Sequence, residues 1–198
     1  MKLFAFVDWH SDLSVWRKIE SKVKEEKPDL IVCAGDISVF EQHLENLMKM
    51  LDSLETPTVI IHGNHELANI MEKLSERSKN IKFIHRKIID FKDFTLIGYG
   101  GGGFDVKDDA FERFANNIEP KIKDKKVILV THAPFYGTNT DYLWKRHCGN
   151  KSFTEFIKRN KNIALGICGH LHECAKKKDK IGNTIVINPG PDGEIINI

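Results

Sequence analysis

Short apolar runs rich in β-branched residues alternate along this chain with stretches whose apolar residues recur every three or four positions. The first pattern predicts buried strands and the second amphipathic helices. Residues 2–7 form a first strand, and Asp8, Trp9 and His10 follow directly on it. Ser11 is placed to cap a helix in which Leu13, Trp16, Ile19 and Val23 share a face, and Pro28 ends it. The unit then repeats. Residues 30–34 read as a strand left through Gly35-Asp36, and Ser38 with Glu41 fits a capping box opening a helix that buries Phe40, Leu44, Leu47, Leu51 and Leu54. A third strand, over residues 57–62, leaves through Gly63-Asn64-His65-Glu66 into a helix carrying Leu67, Ile70, Met71 and Leu74. Successive strand-turn-helix units predict a parallel sheet with crossover helices.

Beyond Ser78 the spacing shortens. Residues 81–84, 87–91 and 94–99 are strand-like and close together, which predicts antiparallel strands with Lys92-Asp93 as a tight turn. The glycine-rich run 98–103 has no lysine or serine placed as in a phosphate-binding P-loop, and reads as backbone passing close to neighbouring elements. A helix over residues 105–119 would bury Phe111, Phe114 and Ile118, and a strand over 127–130 ends at Thr131-His132. The 133–141 loop is rich in Pro, Gly, Asn and Thr, as loops bordering sites often are. A helix near 152–160, with Ser152 and Glu155 as a capping box, precedes a strand over 163–167 that exits at Gly169-His170-Leu171-His172. Residues 174–178 and 184–187 suggest a hairpin around Gly182-Asn183, and 194–198 a last strand. With no linker or low-complexity segment, a single domain over residues 1–198 is expected.

Composition narrows the partners. An apolar content of 41% and a charged content of 29% are those of a soluble globular protein. A formal charge of +2 is too small to argue for nucleic acid or a membrane surface, so partners must be argued from a site. The first apolar run stops at Asp8, too short for a signal sequence, and no run reaches transmembrane length, so a cytoplasmic protein is expected. Cys33, Cys148, Cys168 and Cys174 have neither paired CxxC spacing nor the density of a disulfide scaffold, and Cys33 and Cys168 read as buried thiols.

The polar residues at the predicted strand exits form a narrow chemical set: Asp8 and His10, Asp36, Asn64 and His65, His132, then His170 and His172. Carboxylate, amide oxygen and imidazole are the ligands that Mn, Fe, Zn or Co accept, and without cysteine the set disfavours a structural zinc site. In Asp8-x-His10 and His170-x-His172 the paired residues are two apart, which on a strand points both side chains the same way, so both pairs could grip a metal. Singly, each residue has a structural explanation, such as a helix cap at Asp8, Asp36 or Asn64. Their recurrence at successive strand exits points instead to a metal centre.

In this order the motifs resemble the calcineurin-like metallophosphoesterase superfamily: Asp-x-His, Gly-Asp, Gly-Asn-His with Asp or Glu, a lone His, and Gly-His-x-His, here running from Asp8 to His172. Thr131-His132-Ala133-Pro134 and Asn188-Pro189-Gly190 also look like segments of small bacterial and archaeal members. The resemblance implies an α/β fold of four layers (αββα), two mixed β-sheets flanked by helices. It also implies two divalent transition-metal ions, manganese first with Fe, Zn, Ni or Co as alternatives. Asp8, His10 and His172 would hold one ion, Asn64, His132 and His170 the other, and Asp36 would bridge them. A metal-bridging hydroxide would then attack phosphorus directly, with His65 stabilising the transition state or protonating the leaving oxygen. Glu66 is expected to support the ligands from behind or to start the helix rather than to bind metal.

Departures from family patterns narrow the substrate. Protein Ser/Thr phosphatases extend the second block to Gly-Asp-x-x-Asp-Arg-Gly, whereas Asp36 is followed here by Ile37-Ser38-Val39-Phe40, so that arginine clamp is missing. Val39 stands where purple acid phosphatases place a tyrosine ligand, and where cyclic-nucleotide esterases often carry Asp. Nucleases of the superfamily that need a capping domain find no such extension in these residues. The expected activity is hydrolysis of small phosphodiesters or phosphomonoesters, the diester favoured. The alternatives are a non-catalytic protein-binding scaffold and a nuclease; nucleic acid is possible as a partner but not indicated, and a membrane partner is not expected. His43, His62, His85 and His147 fall outside the pattern and read as structural or exposed, and the Lys176–Lys180 stretch as a solvated edge. Trp9, between two ligands, should point away from them into a core.

Overall fold

The structure is a computed structural model that describes all residues 1–198. Its first half follows the alternation of the sequence: β1 (Lys2–Phe6), α1 (Leu13–Glu26), β2 (Leu30–Cys33), α2 (Leu44–Asp52), β3 (Thr58–Ile60) and α3 (Ala68–Glu76). β4 (Ile81–Phe83), β5 (Lys87–Phe91), β6 (Phe94–Tyr99), α4 (Asp109–Ile122) and β7 (Lys126–Thr131) follow. Then come a small hairpin, β8 (Tyr142–Leu143) and β9 (Arg146–His147), α5 (Lys151–Arg159), β10 (Ile163–Ile167), a 3-10 turn at His172–Cys174, β11 (Lys178–Ile181), β12 (Thr184–Ile187) and β13 (Glu194–Asn197).

The strands form two mixed sheets, β13-β1-β2-β3-β4 and β11-β12-β10-β7-β6-β5. Three apolar clusters account for four layers. Alternate residues of β1, β2 and β3 (Leu3, Ala5, Leu30, Val32, Val59) meet those of β6, β7 and β10 (Leu96, Ile128, Leu165, Ile167) in a core between the sheets. The opposite faces take the helices: Phe4, Phe6 and Ile31 pack against α1, α2 and α3, and Ile97, Val127 and Leu129 against α4 and α5. Because both faces of each central strand are covered, those strands are continuously apolar. No helix is long and apolar enough to cross a membrane.

Several local expectations are corrected. β4 pairs parallel with β3 at the edge of the first sheet instead of joining an antiparallel set, while β5 and β6 do form the hairpin around Lys92-Asp93. α1 is capped by Asp12, whose Oδ1 accepts from the amides of Ser14 and Val15, and not by Ser11; Leu13 lies exposed. α2 starts at Leu44, and only half of the Ser38/Glu41 box forms: the Ser38 hydroxyl accepts the Glu41 amide at 3.2 Å, but the Ser38 amide is donated to Glu66 and the Glu41 carboxylate accepts instead from Leu67. Phe40 is therefore left in an exposed turn rather than buried in a helix. α4 starts at Asp109 under an Asp108 cap, and α5 at Lys151 under Asn150, because the Ser152 hydroxyl donates to Glu112. Residues 172–174 make a 3-10 turn, so the Gly182-Asn183 hairpin begins at Lys178. Its first strand is a sheet edge, as expected for a lysine-rich stretch.

Candidate metal centre

Strands from both sheets end on one side of the sandwich, and the predicted site residues leave them there: Asp8 and His10 after β1, Asp36 after β2, Asn64 and His65 after β3, His132 after β7, His170 and His172 after β10. The mechanism of convergence is not the strand periodicity that the sequence suggested. Asp8, His10, Asp36 and His170 all have left-handed backbone, with φ of 57°, 50°, 53° and 69°. Each chain turns sharply as it leaves its strand, and the turn swings the side chain inward. Asp8 and His10 thus remain together, whereas His170 and His172 separate, His172 toward His10 and His170 toward Asn64.

Asp36 is at the middle. Its Oδ1 accepts from the His65 amide at 2.9 Å, and its Oδ2 lies 3.3 Å from His132 Nε2 and 4.0 Å from His10 Nε2. On one side His10 Nε2 and His172 Nε2 face each other at 3.1 Å, with Asp8 close by. On the other, Asn64 Oδ1 is 3.0 Å from His132 Nε2 and 2.7 Å from His170 Nδ1. Asn64 is therefore no helix cap. Asp8, His10 and His172 place one donor atom each within 4.8 Å of one another, and so do Asp8, Asp36 and His132.

The imidazoles are oriented as ligands are. His10 Nδ1–H donates to the Ser38 carbonyl at 3.1 Å, and His132 Nδ1–H to the Ala34 carbonyl at 2.9 Å. Each bond fixes the proton on Nδ1 and leaves Nε2 as the atom that faces Asp36, free to bind a metal once it is deprotonated. His170 presents Nδ1 instead, its buried Nε2 having no partner. This oxygen and nitrogen donor set, without sulfur, fits a pair of intermediate divalent metal ions.

His65 is the exception. His10, Asp36 and His65 also come within 4.8 Å, so proximity alone admits it as a ligand. Its Nδ1, however, accepts the Phe40 amide at 3.3 Å. The ring proton must then sit on Nε2, which faces the site as a donor and has no lone pair to give a metal. The exposed Phe40 ring lies 4.4 Å from the imidazole and holds it from outside. The sequence hides this contact, because the apolar spacing places Phe40 in a helix core.

Electrostatics prepare the site for cations. Burial alone would raise Asp36, but the hydrogen bond and charge of His132, with help from His65, hold it at about 2. Burial would lower His132, but Asp36 and Asp8 lift it to about 9. Burial, reinforced by the His132 charge, holds His170 down at about 4. Burial raises Asp8 against the pull of nearby histidines. A bound cation would take the place of the His132 proton.

Behind the ligands stands Glu66. Buried, it accepts from the amides of Asp36 (3.0 Å), Gly63 (2.9 Å) and Ser38 (2.9 Å) and from the Ser38 hydroxyl (2.9 Å), tying the exit of β2 to that of β3. It supports the site from behind, as the sequence suggested. Gly63 is required for a related reason: a Cβ there would overlap the Asp36 carboxylate. Trp9 packs inward on Trp16, ring centroids 5.0 Å apart, as expected. His62 and His85 pack on each other at a tilt, ring centroids 4.6 Å apart, and His147 bonds Asp141, all outside the cluster.

The four-layer arrangement, with these side chains gathered at the strand ends, is the metallo-dependent phosphatase fold. The chain belongs to the calcineurin-like phosphoesterase family, whose model matches residues 1–174. It is 32% identical over 203 residues to the uncharacterized protein MJ1162 of Methanocaldococcus jannaschii, covering 96% of this chain and 88% of that one. A probable cyclic nucleotide phosphodiesterase of Coxiella burnetii is 27% identical over 152 residues, 73% of this chain and 60% of that protein's length. Among solved structures, a dimetal phosphatase from Danio rerio superposes with a TM-score of 0.67 at 12% identity, over 94% of this chain and 86% of that one, a likeness of fold.

Proposed function

We propose that this protein is a dimetal phosphoesterase acting on small phosphodiesters in preference to monoesters. Asp8, His10 and His172 hold one ion, Asn64, His132 and His170 the other, and Asp36 bridges, with manganese the first choice of metal. The observation that carries the reading is the paired Nδ1–H to carbonyl bonds of His10 and His132, which aim two Nε2 atoms at one carboxylate. Family membership and the phosphodiesterase name of the Coxiella relative support it. When bound, two such ions clamp phosphate oxygens and lower the pKa of a water toward ~7. The residues do the rest: the ligands fix the phosphate, and His65 directs its Nε2–H at the oxygen that gains charge or leaves. Diesters are preferred because the hydrogen-bond and ion-pair partners of the cluster include no arginine or lysine to clamp a dianionic monoester. We also place the protein in the cytoplasm, where its four free, buried thiols stay reduced.

The direct test is turnover of bis-p-nitrophenyl phosphate against p-nitrophenyl phosphate with added manganese. Faster diester hydrolysis is expected, and turnover of neither would overturn the enzyme in favour of a scaffold. His65→Ala should lower kcat by about 10²- to 10⁴-fold while leaving bound metal unchanged. Loss of metal from that variant would mean that His65 is a ligand.

Metal uptake should also release protons. With His132 at about 9, the metal-free site carries its proton at pH 7, so a divalent ion must displace it. Affinity at that site should rise with pH up to about 9 and fall as pH is lowered, whereas Asp36, at about 2, stays ionised throughout. A pH indicator in weakly buffered protein reads this release directly; uptake without protons at pH 7 would remove His132 from the ligand set.

A further inference from the structure

No residue pattern marks the β8–β9 hairpin, whose tip has an uncommon backbone. Tyr142 pairs with His147 and Leu143 with Arg146, leaving the two-residue loop Trp144-Lys145. Both loop residues are left-handed, at φ 49° and 64°. This is the type I′ geometry that Asn-Gly normally fills. A tryptophan here meets a steric conflict that glycine would avoid, and yet it is 71% exposed, while Trp9 and Trp16 lie in the core. A strained, exposed aromatic calls for a role outside packing.

Trp144 lines a cavity of about 380 Å³ together with Phe104, Val106, Arg146, His147 and Cys148. Both walls are anchored to the candidate metal centre. On one side Leu143 and Cys148 cluster with Leu171 and Cys174, which flank His172, and Cys174 Sγ–H donates to the Tyr142 carbonyl at 3.5 Å. On the other the Phe104 ring packs edge-on against His170, centroids 4.9 Å apart. Asn150 Nδ2 donates to the Asp105 carbonyl at 2.9 Å and the Lys151 amide to that of Val106 at 2.8 Å, fixing this wall to the start of α5. The Arg146 guanidinium makes no hydrogen bond or ion pair within the chain.

Resting on the phosphoesterase reading above, we propose that this cavity receives the nucleobase of a nucleoside phosphoester whose phosphate sits at the metal centre. Trp144 and Phe104 offer aromatic faces on which a base stacks, and Arg146 offers donors to the carbonyl and ring-nitrogen acceptors of its edge. The volume suits a small flat ligand. An acyl chain would use the aromatic faces but leave the guanidinium with nothing to bond.

Titration calorimetry of the manganese-loaded protein compares thymidine 5′-phosphate with deoxyribose 5-phosphate, which carries a hydroxyl at C1 in place of the base. The base should tighten binding by at least about fivefold, the low end of what one stack contributes. Trp144→Ala should remove most of that ratio and Trp144→Tyr retain it. Kinetics give a second readout: the ratio of kcat/KM for the p-nitrophenyl ester of thymidine 5′-phosphate over methyl p-nitrophenyl phosphate should fall about tenfold in Trp144→Ala. Equal affinity for the two phosphates, or a ratio insensitive to Trp144, would overturn the proposal, as would an octyl ester that gains from Trp144 while the nucleotide does not. Nucleotide binding that depends on Trp144 in a protein that turns over no ester would sustain this inference and overturn the phosphoesterase reading alone.

Discussion

Asp36→Asn should lower phosphoester turnover by about 10³-fold or more, beyond the loss typical of a single transition-state donor. The variant is nearly isosteric, and its amide oxygen can still accept the His65 amide as Asp36 Oδ1 does. What it loses is the anionic Oδ2, which stands 3.3 Å from His132 Nε2 and 4.0 Å from His10 Nε2, between the two proposed ligand groups. An NH₂ group there cannot coordinate, and two cations would face each other across a neutral side chain. Since Asp36 is held at about 2, it is ionised at any working pH and its charge is always available. Near-normal turnover in Asp36→Asn, followed with bis-p-nitrophenyl phosphate, would mean that the reaction centre lies elsewhere.

Glu66→Ala should be the most destabilising single change near the site, although Glu66 binds no metal in this account. Its removal leaves the buried amides of Asp36, Gly63 and Ser38 without acceptors. Hydrogen bonds to a charged group contribute about 1.5–3 kcal/mol each, and unpaired buried donors retain their desolvation cost. Allowing for relaxation and water entry, a loss of about 3–5 kcal/mol is expected, lowering Tm by about 10 °C in a chain of this size. Metal affinity should fall with it, because the Asp36 backbone loses the bond that sets its position. Glu66→Gln should recover only part, since its NH₂ would face amides that also donate. A Tm within about a degree of wild type for Glu66→Ala would show that these bonds are replaced by solvent and that Glu66 does not organise the site.

The clustering of the polar strand-exit residues was more legible in the sequence than local structure was. Residue chemistry at strand exits survives small errors in element boundaries: Asp36 follows β2 whether or not Ser38 caps a helix, and His132 follows β7 wherever the next loop runs. Helix starts proved less legible because capping side chains had other partners. The Ser38 amide goes to Glu66 rather than to Glu41, and the Ser152 hydroxyl to Glu112. The edge pairing of β4 was hidden because a three-residue strand has no periodicity to tell parallel from antiparallel. The left-handed turns at Asp8, His10 and His170 were invisible for another reason: tertiary bonds impose them, such as that from the His170 amide to Asp8 Oδ2 at 3.0 Å. Trp144 and Phe104 escaped because their segments lack helical or strand patterning, and only the folded chain brings them together.

Metal counting tests the central claim most directly. After loading with manganese and removal of free ion, elemental analysis of the wild type should find about two ions per chain, the number a bridged site holds. Asn64→Ala, which removes the oxygen between His132 and His170, should retain about one, with diester turnover falling in parallel. A wild-type protein that holds one ion or none while hydrolysing bis-p-nitrophenyl phosphate at full rate would contradict the dimetal account.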